Sequence, residues 1–261
     1  MSSSRSAVLR TNSRIGLLIA LTALTLFITG SFISIDWFNT ATGSASLYPA
    51  YAKPVVSVLC AAVAFAAARA NLGRGDFRFV VWSFICIVIV DICMSIYVYS
   101  DNTALTSVTF LIGAALSILA HVLLILRHAK GFQFLRGKDS LINKLWLPLV
   151  CFVPVLIIFI ILIPYLNAVG QFWPSLIYAL IITTSLWVAW ETVRRRLFPR
   201  PNALLIALGV TSWFITELVG VVHNIEIGRL SDIAMNLTWH FYMPAILLIA
   251  LSAHRWKSAK T

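Results

Sequence analysis

The chain has 261 residues, 60% of them hydrophobic and only 11% charged, with a mean hydropathy of +0.92 and a formal net charge of +11. Soluble domains carry about 25% charged residues, so this composition excludes a soluble globular fold and predicts an all-α, polytopic transmembrane bundle. The basic excess does not imply nucleic acid. In a membrane protein Lys and Arg gather in cytoplasmic loops and set the orientation, so the expected partners are the lipid bilayer and its lipids.

Residues 1–14, rich in Ser and Arg, read as a disordered basic tail, residues 15–253 as one eight-helix transmembrane domain, and residues 254–261 as a basic cytoplasmic tail. The first apolar run is too long for a signal-peptide core and no A-x-A site follows it closely, so it reads as an anchor that stays. Eight stretches are long enough to span, at about 15–35, 48–70, 77–99, 104–127, 145–166, 172–192, 202–222 and 232–253. The connections alternate in charge. Arg5, Arg10 and Arg14 precede the first span, and Asp36 alone follows it. Arg69, Arg74 and Arg78 surround the second loop, and Asp101 stands in the third. The fourth carries Arg127, Lys130, Arg136, Lys138 and Lys144, and the fifth has no charge. Arg194, Arg195, Arg196 and Arg200 mark the sixth, and Glu226, Arg229 and Asp232 the seventh. This alternation places both termini in the cytoplasm and requires an even number of spans. Cys60, Cys86, Cys93 and Cys151 all fall in apolar runs without a CxxC partner, and read as small core or lipid-facing residues.

Two acids lie inside spans, Asp91 in the third and Glu217 in the seventh. A carboxylate there costs roughly 2.5–3.5 kcal/mol on insertion scales, and an intramembrane acid is a functional candidate by default. At 1.5 Å per helical residue, Asp91 lies roughly 12 Å below the outer end of its span. By the same count Glu217, Lys53, Tyr178 and His240 fall at comparable levels, whereas His121 lies far deeper. Helical spacing puts Gly209, Trp213, Glu217, Gly220 and Asn224 on one face of span seven. It likewise aligns Phe110, Gly113, Ser117, His121 and His128 in span four, and Asn236, His240 and Pro244 in span eight. The catalytic candidates are therefore Asp91 and Glu217, and the binding or supporting candidates Lys53, His121, Tyr178, His240 and Asn224.

Each candidate has a structural alternative. Asp91 pairs with Lys53 or is capped by hydroxyls and carbonyls; Glu217 hydrogen-bonds Trp239 or His240; Lys53 snorkels to the interface. His128 reads as solvated, and Glu191 with Arg195 as an i, i+4 pair on a cytoplasmic flank. The order acid, histidine, acid, histidine in spans three, four, seven and eight fits two parallel four-span halves, and fits coincidence equally well.

No Lys stands in the last span to carry a retinal, and no HxxxH or HExxH motif, GxSxG motif or Walker motif occurs. No cofactor and no metal site is expected.

Four patches in order resemble the lysoplasmalogenase (YhhN-like) family of eight-span membrane proteins. They are Lys53-Pro54 opening span two, Asp91 in span three, Phe110-x-x-Gly113 with Ala120-His121 in span four, and Glu217 in span seven, together covering roughly residues 48–253. The chain departs from the family pattern at Val90, where Gly is usual, at Thr216-Glu217, where Ser-Asp is common, and at Ser117, where an aromatic is common. The resemblance implies hydrolysis of the vinyl-ether bond of a lysophospholipid-like ether lipid to a fatty aldehyde and a glycerophospho-base. Paired carboxyls suit that chemistry, one protonated and one ionised, and the residues do not say which. The same buried acids suit a proton-coupled membrane transporter, and the fold suits a non-catalytic lipid-binding protein. In each case the chain is an integral, multi-pass protein, placed in the plasma (inner) membrane if bacterial.

Overall fold

The computed structural model describes residues 2–44, 46–68, 74–100, 102–130, 132, 141–168, 170–225, 229–254 and 256. Only backbone is described for 2–14, 74–75, 98–99, 141–143, 222, 224–225 and 229–230. Among the described residues every element is a helix. They are α1 (Ser2–Thr42), α2 (Tyr48–Ala68), α3 (Arg74–Tyr99), α4 (Thr103–His128), α5 (Leu141–Ala168), α6 (Phe172–Arg194), α7 (Arg200–Ile225) and α8 (Arg229–Leu251). Each contains a stretch long and apolar enough to cross a membrane.

The predicted spans match these helices apart from their ends, and α1 differs most. It is helical from Ser2, within the segment read as a tail, and continues through Asp36 to Thr42. Asp36, read as a loop marker, therefore sits on the helix. Hydrocarbon leaves the backbone no other partner than its own turns, and the Asp36 side chain finds a counter-charge on α2.

The packing pairs form a closed circuit: α2 on α3, α3 on α4, α4 on α6, α6 on α7, α7 on α8, and α8 back on α2. α1 packs outside on α2 and α8, and α5 outside on α6. The circuit maps onto itself when α1–α4 are exchanged for α5–α8. In each half the first helix flanks the second, the second packs on the third, and the third on the fourth. The acid-bearing helices α3 and α7 occupy equivalent places. The order of packing within the two halves is thus alike, apart from the α1–α8 contact, which has no equal between α5 and α4.

Apolar side chains fill the contacts between α2, α3, α7 and α8, with Val56, Val63, Ile206, Ile246 and Ile249 fully buried. The outer surface of α5 presents Val150, Leu156, Ile157 and Ile161, a surface suited to lipid chains rather than water.

Close approach of α7 and α8 depends on Gly209. A Cβ there would stand 2.9 Å from the Ile249 Cγ1, 3.1 Å from the Ala245 carbonyl oxygen and 3.2 Å from the Ile249 nitrogen. Two of these are backbone atoms and do not swing aside. At Gly113, between α4 and α3, the clash is with the Met94 Cε at 2.7 Å, the end of a flexible side chain. Alanine improves helix propensity by about 1 kcal/mol at either site, while overpacking costs about 1–3 kcal/mol. Gly209→Ala is therefore expected to lower the thermal unfolding temperature in detergent, and Gly113→Ala to leave it unchanged or raise it. The reverse order would remove the assigned role of Gly209.

Candidate functional site

Asp91 projects from the middle of α3, where the surrounding residues are aliphatic, aromatic and sulfur-bearing, and is 4% exposed. Ser57 of α2 hydrogen-bonds its Oδ2. The Tyr242 hydroxyl of α8 donates to Oδ1 and Oδ2, at 3.0 Å each. α3 and α8 are not neighbours in the circuit, so these side chains meet in its interior.

Glu217 lies on the opposite side of that interior. Its Oε1 accepts the Tyr178 hydroxyl of α6 at 2.8 Å and the Trp213 indole N–H, one turn back on α7, at 3.1 Å. Tyr178 is also 3.3 Å from the Ser117 hydroxyl of α4. Both hydrogen bonds to Glu217 end on Oε1. Oε2 has none among the described residues, and Glu217 is half-buried.

Aromatic rings join the two acids. Trp213 and Tyr242 meet edge to face with centroids 5.6 Å apart. One continuous set of contacts therefore runs Ser57–Asp91–Tyr242–Trp213–Glu217–Tyr178–Ser117, and all six helices of the circuit contribute to it. The acids make no direct hydrogen bond.

His121 is 2% exposed and neither ring nitrogen has a hydrogen-bond partner among the described residues. Its ring lies 4.4 Å from that of Trp213 and 6.1 Å from that of Tyr178. The depth count placed His121 far from the acids; the structure places it beside the residues that hold Glu217. Counting rise from the helix ends treats the helices as upright and ignores that side chains lean toward the preceding turn. Ser117, one turn before His121, meets Tyr178 directly.

Lys53 and His240 lie elsewhere. The Lys53 ammonium pairs with Asp36 Oδ2 at 3.0 Å and stands 4.4 Å from the centre of the Trp239 ring. It is buried by α1 and neither snorkels outward nor meets Asp91. His240 Nε2 accepts the Trp37 indole N–H at 3.4 Å, and its Nδ1 is 3.0 Å from the Asn236 carbonyl oxygen. Both residues belong to the seam that docks α1 on α2 and α8. Neither Trp239 nor His240 reaches Glu217. Asn224 falls in α7, but its side chain lies outside the described residues.

Ser57, Tyr242 and Trp213 complete the site. Trp213 was visible on the Glu217 face. Tyr242 was hidden because the polar stripe Asn236–His240 drew attention to the other side of α8. The signal for it is the spacing Trp239–Tyr242–Ile246–Ile249, a run at helical intervals with its last three members buried.

At the basic end, where α4 stops, a second polar group crosses the circuit. Arg127 and His128 are both fully buried. His128, read as solvated, lies under this group. Arg127 Nε donates to Asp76 Oδ1 of α3 at 3.0 Å, and its NH1 donates to the Ser252 hydroxyl, just past α8, at 2.8 Å. Nearby, Glu191 takes both Arg194 and Arg195 at 2.8 and 2.7 Å. The expected Glu191–Arg195 pair forms, and Glu191 is fully buried.

No curated protein and no solved structure matches the chain. A family model does, over residues 131–253, which take in Tyr178, Trp213, Glu217 and Tyr242, while Ser57, Asp91 and His121 precede the matched segment. That model is described as the YhhN family, the lysoplasmalogenase-like family, so the resemblance read from the residues holds through α5–α8 and this part of the chain is YhhN-like.

Proposed function

We propose that the protein is a membrane hydrolase of the lysoplasmalogenase type, cleaving the vinyl-ether bond of a lyso ether lipid to a fatty aldehyde and a glycerophospho-base. The observation that carries this reading is that Asp91 and Glu217 both turn into the interior of one circuit of helices, from opposite sides of it. Each is held by a tyrosine hydroxyl, and the two are joined by Trp213 and Tyr242.

Reaching the hemiacetal needs two proton movements, and its collapse reverses them. A proton goes to the enol carbon, leaving an oxocarbenium ion. Water adds to that cation and gives up a proton, and the resulting hemiacetal collapses to aldehyde and alcohol. An acid and a base supply both without a covalent intermediate. In this reading His121, whose two ring nitrogens are buried with no hydrogen-bond partner among the described residues, supports the Glu217 side of the site through its packing on Trp213. In this reading Lys53 and His240 support the site from the α1 seam, both termini face the cytoplasm, and the single chain of a lysolipid enters between helices.

Purified protein in detergent is expected to release aldehyde from a lysoplasmenyl lipid, and to lose that release in Asp91→Asn while still unfolding cooperatively. Transfer of the intact lipid across sealed vesicles, driven by a pH gradient and with no aldehyde formed, would establish the transporter instead.

A further inference from the structure

We infer that the two acids divide the labour: Glu217 carries the proton to the substrate, and Asp91 is the charged partner that draws the proton from water through the Tyr242 hydroxyl. This rests on the hydrolase reading for its kinetics, but the placement of the charge stands on hydrogen-bond geometry alone.

A protonated carboxyl has one oxygen that only accepts and one that donates; an ionised carboxyl accepts on both. Glu217 shows the first pattern. An indole N–H can only donate, so the Trp213 contact makes Oε1 an acceptor, and Tyr178 donates to the same oxygen. Oε2 is left without a partner among the described residues, on a side chain that is only half-buried, as the oxygen that bears a transferable proton requires. Asp91 shows the second pattern. The one Tyr242 hydroxyl reaches both of its oxygens, and the Ser57 hydroxyl, which also stands 3.3 Å from the Lys53 carbonyl oxygen, reaches Oδ2, an arrangement that fits a carboxylate accepting on both sides. Those contacts and its burial keep Asp91 from touching water or lipid itself. Tyr242 does have a second direction open to it, because its oxygen keeps lone pairs after its proton is given to Asp91.

The steps balance. Glu217 gives the proton on Oε2 to the enol carbon and becomes a carboxylate. Water bonds to the oxocarbenium carbon, its proton passes to the Tyr242 oxygen, and the Tyr242 proton passes to Asp91. In the collapse, the hemiacetal hydroxyl proton goes to Glu217 as the carbonyl forms. The proton on Asp91 returns through Tyr242 to the departing glycerol oxygen. Both carboxyls end as they began, and Tyr242 joins the catalytic residues.

Infrared spectroscopy of the protein at neutral pH tests the charge assignment without any turnover. The carbonyl stretch of a protonated carboxyl is expected in the wild type, absent in Glu217→Gln and retained in Asp91→Asn. Tyr178→Phe, which removes one donor from Oε1, should move that band to higher frequency, and serves if Glu217→Gln fails to fold. A band lost in Asp91→Asn, or no such band in the wild type, overturns the assignment. The relay is tested by kinetics in protein that releases aldehyde. Tyr242→Phe should lower kcat by about 100-fold or more with KM changed less than about threefold, and the Tyr242→Phe/Asp91→Asn double variant should be no slower than Asp91→Asn. Multiplied losses in the double variant, or a Tyr242→Phe loss that falls on KM, overturn the relay. A wild type that shows the band but forms no aldehyde defeats the hydrolase reading and leaves the charge assignment standing.

Discussion

Glu217→Gln is expected to lower aldehyde release by roughly 10²- to 10⁴-fold, the range for loss of a positioned general acid. The substitution is informative because it changes so little else. The amide keeps the length of the side chain and a carbonyl oxygen to accept from Tyr178 and Trp213. Its NH₂ occupies the place of Oε2, which has no partner to lose among the described residues. Folding should therefore survive, and a non-cleavable alkyl-ether lysolipid should still bind. The loss should appear in kcat, since a proton delivered only in the transition state contributes nothing to ground-state binding. Glu217→Asp separates charge from reach. It keeps an acid but withdraws it by one methylene from Tyr178 and Trp213, and an intermediate rate is expected because a proton donor remains at a longer reach. Turnover by Glu217→Gln within a few-fold of the wild type would remove Glu217 from the chemistry.

The eight helices were legible because hydrocarbon imposes one solution on the backbone: long apolar segments with every N–H bonded inside the helix. Periodicity and loop charge carry that information locally. The acids were legible for the same reason, since Asp91 and Glu217 stand out against apolar neighbours that make them costly. Tyr178 was found by its level in the membrane. The partners of these groups were harder to read. Which face of α8 turns inward is decided by its packing on both α2 and α7, a long-range property that the polar stripe Asn236–His240 does not report. Lys53 looked like a partner for Asp91 because the two share a level. It belongs instead to Asp36, which helix α1 brings into the bundle by running past its predicted end. His121 was misplaced because depth counted along a helix says nothing about tilt, and its ring packs against Trp213 from across the circuit.

The largest loss of stability is expected at Arg127, far from the acids. Its guanidinium is fully buried, 3.0 Å from Asp76, and donates to the Ser252 hydroxyl at 2.8 Å and the Ser252 carbonyl at 3.2 Å. Asn202 of α7 donates to the same carbonyl at 2.8 Å. Arg127 thus ties the ends of α3, α4 and α8 together, and Asn202 joins α7 to the same carbonyl. Arg127→Met keeps the length and apolar stem of the side chain but strands the Asp76 carboxylate, which has 6% of its side chain exposed. Removing one partner of a buried pair costs about 3–5 kcal/mol, whereas replacing both by apolar residues of similar volume is often neutral. Unfolding measured in detergent should therefore show a steep loss for Arg127→Met and recovery of most of it in Asp76→Leu/Arg127→Met. Arg127→Lys should fall between them, since it restores the charge but not the fork that reaches Asp76 and Ser252 together. The double variant separates two roles for the group. If the ion pair only offsets its own desolvation, the recovered stability will bring aldehyde release back with it. If the link from α4 to α8 also holds the circuit around the two acids, stability will return without turnover, because leucine and methionine fill the space but leave the Ser252 contacts unmade.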